Sequence, residues 1–116
     1  MKPDKLTMSL LFDVYGELLT DKQRDCFDLH YNQDLTLAEI AELMGTSRQG
    51  VHDAVNRADA QLLRLEEVTG CLARERRDMA IAARLEAMAA SPQALSQRET
   101  AEALLEAAAA LRQSDK

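Results

Sequence analysis

The stretch Thr36–Arg57, T-L-A-E-I-A-E-L-M-G-T-S-R-Q-G-V-H-D-A-V-N-R, constrains the fold more than any other part of the chain. Thr36 with Glu39 three residues later is a capping box, in which each side chain satisfies a free backbone N–H of the other residue. Leu37, Ile40, Ala41 and Met44 then recur at helical spacing and give a short helix one apolar face. Gly45 follows, the residue best able to adopt the positive φ of a helix-ending turn. Ser47 caps a second helix, and Val51, six positions after the glycine, anchors it to a core. Ala41 is small enough to let two helices cross closely. These residues in this order predict two helices joined by a tight turn, the helix-turn-helix unit, at about residues 36–58.

The flanking sequence extends the helical pattern. Gly and Pro number only 4 and 2 in 116 residues, and Ala, Leu, Glu and Arg abound, which predicts an all-α chain. A first helix is expected over about Asp4–Leu19, with Met8, Leu11, Phe12, Tyr15, Leu18 and Leu19 on one face and Leu6, Leu10 and Val14 on another. A helix apolar on two faces is buried on two sides. Thr20 and Gln23 form a second capping box, and Cys26, Phe27 and Tyr31 face inward until Asn32–Gln33–Asp34 ends the helix. In the helix after Ser47, Val51, Val55, Ala58, Leu62 and Leu65 repeat at alternating four and three, a coiled-coil-like seam ending near Thr69–Gly70. A further helix spans about Cys71–Ala90, with Leu72, Ile81, Leu85 and Met88 inward. Ser91–Ser96 is a linker, and Ser96 with Glu99 opens a last, alanine-rich helix carrying Leu104, Leu105 and Leu111. The expected organisation is a helix-turn-helix domain over residues 1–70 and a helical C-terminal extension over 71–116, packed on that domain or on a second subunit.

Composition limits the chemistry. With aromatics at 3%, aliphatic residues must fill the core. Cys26 and Cys71 form no C-x-x-C pair and are expected to be small apolar fillers. His30 and His52 lie on different helices with no cysteine nearby, so no metal site is expected. No cofactor or small-molecule substrate is expected either, for the chain lacks a Walker loop and a Rossmann glycine pattern, and G-T-S-R-Q-G at 45–50 does not match a nucleophile elbow. The reading is not an enzyme. No apolar run approaches the roughly 20 residues of a membrane span. Asp13 and Glu17 interrupt the apolar N-terminal stretch in a way a signal peptide does not, so a cytoplasmic location is expected.

The net charge is −6, an awkward value for a partner of a polyanion, yet the acids are spread through every segment while Thr46–Ala58 carries Arg48 and Arg57 against Asp53 alone. Arg pairs with guanine, and Gln or Asn with adenine, through two hydrogen bonds. Thr and Ser hydroxyls suit phosphate oxygens. Thr36, Thr46, Ser47, Arg48, Gln49, His52, Asn56 and Arg57 are therefore the candidate DNA-contacting residues. An ordinary solvated helix face would carry the same residue types, and helix-turn-helix shapes also dock proteins. R-E-R-R at 74–77 fits phosphate contact or a solvated turn paired with neighbouring acids.

The segment from L-T-D-K-Q (Leu19–Gln23) through L-A-E-I-A-E (Leu37–Glu42) to S-R-Q-x-V-x-D (Ser47–Asp53) resembles region 4 of bacterial sigma factors and, more closely, the YlxM family, small bacterial proteins encoded beside signal recognition particle genes. The resemblance covers about residues 6–75. It implies a sigma region 4-like, broadly winged-helix-like helix-turn-helix fold and a homodimer. It also implies a DNA-binding regulator linked to the signal recognition particle pathway, or alternatively a protein-binding accessory factor of that system without DNA binding. Leu6, Leu10, Val14, Leu62 and Leu65 are the residues expected at the dimer or partner interface. Gly50 and His52 stand where the family pattern suggests alanine and an aromatic, and the alanine-rich end departs from the family's charged tail.

Overall fold

The computed structural model describes residues 3–91, 93 and 95–113. Pro92 and Ala94, inside the linker read from the sequence, lie outside the described residues, as do Met1 and Lys2 of the stretch read for a signal peptide. The described helices are α1 (Lys5–Tyr15), α2 (Asp21–Phe27), α3 (Leu37–Met44), α4 (Arg48–Thr69), α5 (Cys71–Ala90) and α6 (Gln97–Gln113). Among the described residues there is no β-strand and so no wing, which corrects the winged-helix-like expectation. The chain divides into two compact units, residues 1–72 and 73–116.

In the first unit α4 is the spine. Val51, Ala54, Val55, Ala58 and Leu62 are buried along one side of it, and α1, α2 and α3 all pack against it. Ile40 and Ala41 of α3 meet Val51, Ala54 and Val55, while Met8, Leu11, Tyr15 and Leu19 meet Ala58, Leu62 and Leu72. The phenyl ring of Phe27 is fully buried between the rings of Phe12 (centroids 4.7 Å apart) and Tyr31 (4.4 Å), and Tyr31 packs against both clusters. Leu62 is therefore a core residue of its own chain. Its expected place at an interface with a partner is corrected, because the four-three seam of α4 is filled by α1 and Leu72. Leu65 is half-buried against the same core.

The first helix ends earlier than its apolar periodicity predicts. After Tyr15 the chain tightens into a 3₁₀ turn over Gly16–Leu18. Three residues per turn instead of 3.6 rotates the side chains out of register with α1. Leu19 stays buried but Leu18 turns outward, 65% exposed. Beyond Phe27, α2 widens into one π turn over Asp28–Asn32, which closes with Asp34 at φ 57°. Polar bonds join distant segments. Tyr31 Oη donates to the buried Asp59 carboxylate at 2.9 Å. Tyr15 Oη donates to Glu66 at 2.6 Å and accepts from the Cys71 N–H at 3.2 Å, fastening α1 to the joint between α4 and α5. Burial, then the bond to Glu66, holds the Tyr15 phenol above its usual pKa.

The turn of the helix-turn-helix is built as its residues dictate. Gly45 adopts φ 64°, and the N–H groups of Gly45 and Thr46 both turn back to the Ala41 carbonyl. A Cβ at position 45 would meet nothing within 4 Å. Gly45→Ala thus isolates the left-handed backbone cost, and is expected to lower unfolding stability by about 1–2 kcal/mol. Gly45→Asn is expected to cost less. Urea unfolding, with an unchanged slope, measures both.

In the second unit α5 and α6 form a helical pair. Ser96 Oγ accepts from the Glu99 N–H at 3.1 Å and caps α6. Arg84 reaches Glu106 across the pair at 3.3 Å. The buried positions of α6 are the small Ala103 and Ala107, while Leu104 and Leu105 remain 50% and 71% exposed.

Candidate nucleic-acid interface

The N-terminal turns of α4 are presented by two caps. Thr36 Oγ1 accepts from the Glu39 N–H at 3.2 Å, and the Thr36 N–H donates to Glu39 Oε1 at 3.1 Å, completing the capping box that starts α3. These bonds hold the Glu39 carboxyl below its usual pKa. A carboxylate with a depressed folded-state pKa stabilises above its unfolded value and loses that contribution as pH falls through the lower, folded one. The start of α3 is therefore expected to weaken as pH drops below about 4.3. Glu39→Gln should flatten that part of the stability–pH curve, read from urea midpoints between pH 3 and 5.

Ser47 Oγ accepts from the Gly50 N–H at 3.0 Å and caps α4. The glycine at 50 has a local reason. A Cβ there would stand 2.9 Å from Thr46 Oγ1 and 3.1 Å from Ser47 Oγ, the capping atom itself. Gly50 leaves the cap room, against a helix cost of about 1 kcal/mol relative to Ala. The hydroxyls of Thr36 and Ser47 are used as acceptors in their caps, and each keeps an O–H able to donate outward.

Arg48, Gln49, His52 and Asn56 are all exposed on the first two and a half turns of α4, with Thr46, half-buried, just before them. Arg48, Gln49 and His52 share a shallow recess with Leu37 of α3. Gln49 Nε2 donates to Asp53 Oδ1 at 3.0 Å, and Asn56 Nδ2 lies 3.4 Å from the His52 ring. Thr36 is exposed at the start of α3. Arg57 is exposed too but stands apart. It is nine residues from Arg48, which on a helix of 3.6 residues per turn is about 180° of rotation. It shares a different groove, with Leu18, Thr20, Gln23, Ala60, Gln61 and Arg64. The candidate residues thus divide between two flanks of α4.

The cations of the first unit fall into two groups. Of the described cations before Ala73, Lys5 is paired with Asp34 and Arg24 with Asp21. Lys22, Arg48, Arg57 and Arg64 make no ion pair among the described residues, and all four lie on α4 or against its start. The Lys22 ammonium is 3.7 Å from the position of a Cβ on Gly50. Sequence reading missed Lys22 and Arg64. Arg57, Gln61 and Arg64 do show the i, i+4, i+7 spacing of one helix face, but Lys22 reaches α4 only through the tertiary fold.

Other side chains resolve simply. His30 is half-buried with its ring edge-on to Tyr31. Cys26 is buried beside Met44, and burial raises its thiol pKa, whereas Cys71 is exposed and not the buried filler expected. Arg77 of R-E-R-R pairs with Asp78 at 3.6 Å. No described helix is long and apolar enough to cross a membrane.

Capped helix, left-handed glycine, capped helix and buried anchor define an all-helical helix-turn-helix protein. The sequence model of the UPF0122 family, described as "Putative helix-turn-helix protein, YlxM / p13 like", matches residues 2–102. The chain belongs to that family. It is similar to a UPF0122 protein of Clostridium kluyveri, 53% identical over 64 residues that cover 55% of this chain and 58% of the relative. A UPF0122 protein of Thermoanaerobacter sp. (strain X514) is 48% identical over 79 residues, 68% of each chain. The chain therefore spans under three fifths of the first relative's length and about two thirds of the second's.

Proposed function

We propose that the chain is a DNA-binding regulatory protein that lays the N-terminal turns of α4 in the major groove. The observation that carries this reading is the segregation of charge: every unpaired described cation before Ala73 lies on α4 or against its start, in a chain that is acidic elsewhere. On that helix Arg48 and Gln49 are exposed and of the residue types that pair with guanine and adenine edges. The Thr36, Thr46 and Ser47 hydroxyls reach phosphates, and His52 and Asn56 continue the contact face. A link to the signal recognition particle pathway is supported by the resemblance to a family encoded beside its genes. Salt-titrated binding to DNA fragments from the surrounding operon tests the proposal. Binding that weakens as salt rises supports it; no binding to any fragment in low salt overturns it.

A homodimer is part of the proposal. Leu6 and Val14 are exposed (67% and 38%) and Leu10 is half-buried, on one stripe of α1 at i, i+4 and i+8. A dimer doubles the basic helices and sets two half-sites about one helical turn apart. Light scattering at roughly tens of micromolar should give twice the chain mass, and Leu6→Glu with Val14→Glu should return it to the monomer. A monomeric parent refutes the dimer.

One observation favours the alternative of a protein-binding accessory factor. The α5–α6 pair leaves an apolar cleft lined by Leu85, Met88, Ala89, Thr100 and Leu104. A pull-down with the signal recognition particle protein, RNA and receptor distinguishes the two readings, and no enrichment over control removes the alternative.

A further inference from the structure

We infer that the flank of α4 facing α2 is a second nucleic-acid contact, a phosphate-binding strip formed by Lys22, Arg57 and Arg64 that grips a DNA strand irrespective of its sequence. The inference rests on the DNA-binding reading and divides the labour within it. Arg57, Gln61 and Arg64 are spaced i, i+4 and i+7, so they lie in a row on one side of the helix. With Thr20, Gln23, Leu18 and Ala60 they line one groove, whose polar groups are donors or amides and which contains no carboxylate. All three cations are exposed, and none forms an ion pair among the described residues.

The placement suits a duplex. At 1.5 Å per residue, Arg57 lies about 13 Å along the axis from Arg48, on the opposite flank. The major groove is about 12 Å wide. A helix about 10–12 Å across fills it, so the exposed face between Arg48 and Arg57 lies toward the bases, and Arg57, at the far edge of that face, comes to a bordering strand. Lys22 covers the same flank nearer the start of α4, and Arg64 continues it about 10 Å further. Asp53 sits between the two flanks and is occupied by Gln49, with the His52 ring 3.8 Å away. It lies four residues before Arg57, at the edge of the strip, with its carboxylate engaged by the Gln49 amide. Guanidinium and ammonium groups that meet phosphate release condensed counterions without reading sequence.

The test compares two double variants of the full chain, R57Q/R64Q and K5Q/R24Q. Each removes two positive charges, the second pair from outside the strip. Binding is measured against salt on a selected duplex and on random-sequence duplex. R57Q/R64Q is expected to weaken both duplexes by the same factor and to make the log K against log salt slope shallower by about 2. Adding K22Q should remove about 1 more. K5Q/R24Q should leave the slope within about 0.5 of the parent's. Melting curves confirm that the exposed substitutions leave the fold intact. An unchanged slope for R57Q/R64Q, or an equal change for K5Q/R24Q, overturns the strip while the groove-reading helix stands. A parent that binds neither duplex overturns the DNA-binding reading itself.

Discussion

Arg48→Ala is expected to lower affinity for a selected DNA duplex by about one to two orders of magnitude, equivalent to roughly 1–3 kcal/mol. Its effect on random-sequence DNA should be far smaller. Arg48 stands in the first turn of α4, exposed, without an ion pair among the described residues, and beside Gln49 and His52 in the recess over Leu37. A guanidinium held there presents two donors to one guanine edge, and alanine removes both. The substitution touches no cap, since Ser47 bonds through the Gly50 N–H, and alanine is a good helix former. Lost binding would therefore not be lost structure. Arg48→Lys should recover only part of the affinity, because an ammonium cannot pair in the two-point manner. Competition binding with selected and random duplexes measures the difference. Equal binding by Arg48→Ala and the parent would remove Arg48 from the interface.

Phe27→Ala is expected to be the most destabilising of the single substitutions considered, by about 3–5 kcal/mol. The ring is fully buried and stacked between Phe12 and Tyr31. Tyr31 in turn packs against both core clusters and bonds to the buried Asp59. Removing the ring leaves a cavity beside α4 that the neighbouring aromatics cannot fill without leaving their own contacts. Domains of this size have total stabilities of about 5–15 kcal/mol, so a large share of the whole would be lost. Phe27→Leu keeps much of the volume and should cost less. Urea unfolding followed by circular dichroism gives both values. A loss below about 1 kcal/mol for alanine would mean that the aromatic stack is not what joins the two clusters.

Where signals are local, the sequence carried them to the residue. Thr36 with Glu39, Gly45, Ser47 and Gly70 set the ends of α3 and α4 through capping bonds and positive φ, which depend on residues three to five apart. The apolar face of α3, with Ile40 and Ala41 buried, follows from the same short range. What was not legible depends on packing between segments. Leu62 looks like part of a free seam until α1 is known to cover it. Leu18 looks inward until the chain tightens after Tyr15. The burial of Asp59 depends on a bond to Tyr31, 28 residues away. The candidate site shows the same division. Arg48, Gln49 and His52 share a recess along one short stretch, but Arg57, near them in sequence, is turned by the helix to the other flank.

We propose that the exposed face of α4, and not another surface, meets DNA. Backbone amide shifts of the isotope-labelled chain, followed as a selected duplex is added, test it directly. The largest changes are expected from Thr46 to Arg57, with smaller ones at Lys22 and Arg64 and little change in α6. Saturating duplex that shifts only residues of α5 and α6, or none at all, would contradict it.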